Sequence, residues 1–78
     1  MKYVIIEKGT DEIPIIFPNF IQHDFFSDRK IISAGYVDIY PDDNGFLIYH
    51  AYGKSISLGL QARKEDSELI ERSMNFKI

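Results

Sequence analysis

Hydrophobic and polar positions change period several times along this chain, and each change predicts an element. Tyr3–Glu7 reads as a first strand, with an apolar run of Val4-Ile5-Ile6 that Glu7 ends. Gly9-Thr10-Asp11 is turn chemistry, because Gly and Asp accept backbone conformations that strands avoid. In Glu12–Phe17, Ile13, Ile15 and Phe17 alternate with Glu12, Pro14 and Ile16, which is the period of a strand. Pro14 cannot donate to a ladder, so this strand belongs at a sheet edge or keeps the proline outside its pairing. The two strands are read as a hairpin.

The pattern then shifts. Asn19 is a good N-cap, and Gln22 three residues later resembles a capping box. A short helix of about two turns is predicted, closed by Ser27-Asp28-Arg29, with Phe20, Ile21 and Phe25 or Phe26 packed on the sheet. Lys30–Tyr40 and Phe46–Tyr52 follow as a long hairpin around Pro41-Asp42-Asp43-Asn44-Gly45. A five-residue loop pairs Tyr40 with Phe46, and a four-residue loop pairs Pro41 with Phe46. The two registers exchange the cross-strand partners on each face, so the buried face stays unassigned. Gly35 in mid-strand costs stability and requires a bulge or the close approach of another backbone.

Gly53-Lys54 bends the chain, and Ser55–Leu60 reads as a short fifth strand. Lys64–Met74 reads as a helix. Glu65, Asp66 and Glu68 suit its positive N-terminal end, and Glu68 and Arg72 are four apart in the favourable order. Leu69, Ile70, Ser73 and Met74 form its expected inward face. Asn75–Ile78 is read as a tail that docks by Phe76 and Ile78 or frays. The fold class is α+β: a small antiparallel sheet of four to five strands, with a short helix after strand 2 and a C-terminal helix, in the order ββαββ(β)α.

Length limits what such a fold can do. Seventy-eight residues make one domain, residues 1–78, and so short a chain buries only about 60% of its unfolded surface. There is no Cys, which rules out disulfides and thiolate metal sites and fits a reducing compartment. Five Tyr and six Phe supply the large apolar surfaces that cores and interfaces need. The N-terminal apolar run is too short for a signal peptide or a membrane helix, so the chain is read as soluble and cytoplasmic, with no membrane partner.

Charge narrows the partners. The net charge is −3, with eight acids and four bases in residues 1–52 and four acids and five bases in residues 53–78. No basic stripe exists, which argues against a phosphate-backbone binder. Asp38, Asp42 and Asp43 gather acid at one end of the hairpin, facing either solvent or a basic partner.

Local motifs carry little chemistry. Gly53-Lys54-Ser55 resembles the end of a P-loop, but Ile48 stands where the first Gly belongs and the following Ile-Ser-Leu is strand-like. The nucleophile-elbow pattern fails in both registers, since Ser55 or Ser57 occupies a required glycine position. His23 and His50, with Asp24 and Asp38, have the residue types of a two-His-one-carboxylate site without its spacing, and no cofactor or metal is expected. Tyr36, Tyr40, Tyr49 and Tyr52 lack the basic groove of a single-strand stacking platform, so core packing or a protein interface is favoured.

Three strings, Phe17-Pro18-x-x-Ile21-x-His23, Ser33-Ala34-Gly35-Tyr36-Val37 and Gly53-Lys54-Ser55-x-Ser57-Leu58, span about half the chain. In this order they resemble small uncharacterised phage and prophage proteins without assigned activity. The resemblance implies a small cytoplasmic accessory protein that binds a host or phage protein.

The functional expectation is therefore contact with a protein, as a homodimer or with a larger partner. The surface read for that contact is Tyr36, Asp38, Tyr40, Asp42, Asp43, Tyr49 and Tyr52. The competing expectation is a small enzyme or ligand-binding protein that uses His23 or His50 with Ser55, Ser57 or Asp38. That reading requires a concave pocket lined by one of the histidines.

Overall fold

The computed structural model describes residues 1–74. Its strands are β1 (Lys2–Lys8), β2 (Asp11–Phe17), β3 (Ile31–Pro41), β4 (Leu47–Tyr52), β5 (Lys54–Ser55) and β6 (Leu60–Gln61), and its helix is α1 (Asp66–Met74). A four-stranded antiparallel sheet runs in the order β2-β1-β3-β4, and β5 and β6 form a second, two-stranded sheet. The α+β class is as the sequence predicts. The tail from Asn75 to Ile78 lies outside the described residues.

β1 is a central strand buried on both sides, which explains its unbroken apolar run. Tyr3, Val4 and Ile5 are fully buried, with Ile6 nearly so. Tyr3 and Ile5 join Val37, Tyr49 and Ile70 in one cluster, whereas Val4 and Ile6 join Phe17 and Ala34 in another. Side chains alternate across a strand, so these clusters lie on opposite faces of the sheet. Helix α1 covers the first through Leu69 and Ile70, and Ile21, Phe26, Leu58 and Leu60 cover the second.

Both sheet edges fit their sequences. β2 has β1 as its single neighbour, which accommodates Pro14 opposite Ile5. Gly9, at φ +63°, closes the two-residue β1–β2 turn as the first central residue. A bulge in β3 places Ile5 opposite Ser33 and Ile6 opposite Ile31, which leaves Ile32 as the extra residue.

Four expectations are revised. The segment after β2 makes a single 3₁₀ turn, His23–Phe26, instead of a two-turn helix. Pro18 starts a tight turn, with the Ile21 N–H bonded to its carbonyl, and no side chain caps the helix start. Ile21 and Phe26 pack inward, but Phe20 and Phe25 are exposed. The β3–β4 register matches neither predicted loop: Pro41 faces Leu47 and Tyr40 faces Ile48. Asp42 causes this by accepting the N–H groups of Asn44 and Phe46 at 2.8 and 2.9 Å, while Gly45 takes φ +84°. Ser55–Leu60 is not one strand, because Ile56–Gly59 turns the chain between β5 and β6. Helix α1 starts at Asp66, and its inward residues are Asp66, Leu69 and Ile70; Ser73 and Met74 are exposed.

Gly35 is explained by close approach. A Cβ there would lie 2.5 Å from the Tyr52 carbonyl oxygen and 3.4 Å from that of Gly53. Gly53, at φ +77°, bends the chain out of β4 at this point.

Candidate functional site

The observed register puts Tyr36, Asp38 and Tyr40 of β3 beside Tyr52, His50 and Ile48 of β4 on one face of the hairpin. Tyr36 and Tyr52 stack with ring centroids 5.9 Å apart, and His50 stacks on Tyr52 at 5.8 Å. The Tyr52 hydroxyl donates to Asp38 Oδ1 at 3.3 Å. Burial and the neighbouring Asp38 carboxylate together push the Tyr52 phenol above its ordinary range.

The remaining surface candidates separate. Tyr49 is buried in the cluster under α1, on the other face, and contributes to the core. Asp42 is committed to the turn by its two N–H bonds. Asp43 is exposed at the hairpin tip and forms no ion pair among the described residues. Phe46 and Leu47, which the sequence reading did not include, are also exposed at this end of the hairpin, with Leu47 on the opposite face from Tyr40.

His23 is nearly fully buried, and its Nε2 lies 2.8 Å from the Gly35 carbonyl oxygen. A carbonyl only accepts, so Nε2 carries the proton. The ring stands edge-on to Phe17 and Tyr36 at 5.5 and 5.8 Å. His23, Tyr36, Tyr52 and His50 thus form a row of four rings running from the interior to solvent. The two histidines occupy opposite ends of that row and do not share a site. Among the described residues, no three His, Asp or Glu side chains are grouped as a metal site would require.

The interior end of the row opens into a cleft of about 630 Å³. Lys2, His23, Tyr36, Tyr52, Lys54 and Ser57 are among its walls, and no carboxylate of the described residues lines it. The size falls within the range of small-molecule sites. The cleft does bring His23 and Ser57 to one place, but Ser55 belongs to the turn. Ser55 is buried, and its hydroxyl accepts the Leu58 N–H at 3.3 Å and lies 3.4 Å from the Ser57 hydroxyl. No helix follows Lys54-Ser55, so its backbone does not form a P-loop cradle.

Sequence reasoning missed Lys2. It projects from β1 on the same face as Val4 and Ile6, is 7% exposed, and donates to the Ile21 carbonyl at 3.0 Å. The signal was present in the strand period, which places residue 2 with residues 4 and 6.

A second polar group was also missed. Tyr3 Oη donates to Asp66 at 2.6 Å, and Asp66 accepts the Arg63 backbone N–H at 3.0 Å and Arg63 Nε at 2.9 Å. Arg63 Nη2 reaches Glu12 at 2.9 Å, linking β1, β2 and α1. Burial, followed by the Asp66 hydrogen bond, raises the Tyr3 phenol far above its ordinary range.

Comparison with known proteins gives no match, whether with family models, curated proteins or solved structures. Among the described residues no helix is long and apolar enough to cross a membrane.

Proposed function

We propose that this protein works by protein–protein contact through the outer half of the β3–β4 hairpin. The observation that carries this reading is the uncovered hairpin end. The 3₁₀ turn and the β5–β6 turn shelter the inner half of the hairpin face that carries Tyr36 and Tyr40, but Tyr40 on that face, Leu47 on the other and Phe46 at the hairpin end remain exposed. β4 is also an edge strand. Its Ala51 N–H points outward and is taken by the Ser67 hydroxyl of α1 at 2.8 Å. By the two-residue period, Tyr49 and Leu47 direct their N–H groups the same way, and nothing among the described residues bonds to them. An open edge beside exposed aromatics is the arrangement that strand addition and aromatic anchoring use.

The setting we propose follows the resemblance of the short strings: an accessory protein of a phage or prophage that engages a second copy of itself or a host protein. An enzyme reading has less support. His23 Nε2 is occupied by a backbone carbonyl, and neither a carboxylate nor a serine hydroxyl bonds to the ring among the described residues.

Sedimentation of the purified protein over a range of concentrations, beside a Tyr40→Lys/Phe46→Lys variant, tests the contact. Association that the double substitution removes, with the fold intact, supports the reading. A wild-type chain that stays monomeric at high concentration and co-purifies with nothing from its native host overturns it.

A further inference from the structure

The cleft at the interior end of the ring row has a charge pattern that protein contact at the hairpin tip does not explain. The chain as a whole is acidic, at −3, yet among the described residues the cleft is lined by two lysines and no carboxylate. Lys2 carries the argument. An ammonium has three N–H donors, and lysine is almost never buried without a partner of opposite charge. Here Lys2 is 93% buried, with one neutral acceptor among the described residues, the Ile21 carbonyl. No carboxylate forms an ion pair with it among the described residues. Desolvating a cation this far is costly unless something negative completes its shell. The cleft is where an anion can enter to complete it.

The walls add a second requirement. Tyr36 and Tyr52 lie 28° from parallel, with ring centroids 5.9 Å apart, and both line the cleft. Tyr36 is also braced by His23, which the Gly35 carbonyl holds in place. Rigid rings beside a cation suit a ligand that has both a flat ring and an anionic group.

We propose that this cleft binds a small organic anion with a planar ring. The phosphate or carboxylate sits on Lys2 and Lys54, and the ring lies against Tyr36 and Tyr52. The inference goes beyond the contact reading and does not depend on it, because the cleft and the hairpin tip are separate surfaces.

Titration of the full chain, followed by amide chemical shifts, tests it with four probes: a nucleoside monophosphate, the matching uncharged nucleoside, benzoate and inorganic phosphate. A ring-bearing anion is expected to shift Tyr36, Gly53 and Lys54, and the uncharged nucleoside to bind at least about tenfold more weakly, as loss of a charge-assisted contact implies. Preference for the monophosphate or for benzoate identifies the anionic group, and either preference supports the site. Lys2→Met, which keeps an apolar stem of similar length, is expected to weaken binding about tenfold or more. Lys54→Gln, at an exposed position, is expected to weaken it about two- to fivefold and serves as the decisive variant if Lys2→Met does not fold. Tyr52→Ala should weaken the ring-bearing anion at least about fivefold while leaving inorganic phosphate unchanged. The proposal is overturned if no anion shifts these amides, if the nucleoside binds as well as its monophosphate, or if the lysine substitutions leave affinity unchanged.

Discussion

Lys2 and Tyr3 are adjacent on β1 and face opposite sides of the sheet, and their surroundings are opposite in kind. Tyr3 ends in a closed polar network in which its hydroxyl, the Asp66 carboxylate, the Arg63 guanidinium and Glu12 satisfy one another. Lys2 ends in an open one, with a single carbonyl acceptor beside a cleft. The first arrangement is what a buried polar group needs if its task is to join β1, β2 and α1. The second leaves a buried cation incomplete. Burial of a polar residue is thus not informative by itself; what separates scaffold from site is whether the protein supplies the partners.

Removing Asp66 should have the largest effect. Asp66→Ala strands the Tyr3 hydroxyl and removes the buried partner of Arg63, a loss of about 3–5 kcal/mol by analogy with broken buried ion pairs. In so small a domain that is enough to unfold much of the population at room temperature, visible by circular dichroism. If Asp66→Ala cost no more than Lys2→Met, the distinction between closed and open networks would fail.

Alkali should attack the closed network most strongly. The native Tyr3 phenol is raised, so the folded state holds its proton more tightly than the unfolded state does. The resulting stability is complete below the unfolded tyrosine pKa of about 10 and is lost as pH rises above it. Ultraviolet titration should therefore show one of the five tyrosines resisting ionisation until the protein unfolds, beyond the smaller upward shift of Tyr52. Tyr3→Phe should remove that part of the alkaline destabilisation; an unchanged pH profile would remove Tyr3 from the account.

Gly35 lies between the two regions and should couple them. Its Cβ position is 2.5 Å from backbone oxygen, which cannot swing aside as a side chain would, and its own carbonyl anchors His23. Gly35→Ala is expected to cost about 1–3 kcal/mol, the usual range for overpacking, and to shift the His23 ring resonances. A stable variant with an unmoved His23 would contradict the close approach.

Lys2→Met should have the smallest effect on stability, within about 1 kcal/mol in either direction, because an apolar side chain of similar length replaces an incompletely paired buried charge. Thermal unfolding without ligand is the measurement. A loss of several kcal/mol would mean that Lys2 is structural after all.

Much of the scaffold was legible in the sequence. The β1 run, the alternation in β2, an edge position as one of two placements for Pro14, a hairpin turn within Pro41–Gly45 and close approach as one of two reasons for Gly35 all follow from period and backbone stereochemistry. The candidate site was legible only in pieces. His23 and Ser57 were singled out, but their shared cleft was not, and neither was the contribution of Lys2. Tyr49 shows the limit within one strand: its residue type fitted an exposed aromatic surface, and the register instead turned it into the core.

By itself, the sequence determined the four strands of the main sheet, the turns between β1 and β2 and between β3 and β4, and the α+β class, because these depend on neighbours a few residues apart. The structure decided the β3–β4 register that the Asp42 turn sets, two residues from one expected pairing and one from the other, the splitting of Ser55–Leu60 and the reduction of the predicted helix to one 3₁₀ turn. It also decided the two polar networks. Tyr3 meets Asp66 across 63 positions, and Lys2 meets Ile21 across 19. Interactions over such separations leave no local period in the chain, so only the folded arrangement shows which buried polar group is complete and which is still open.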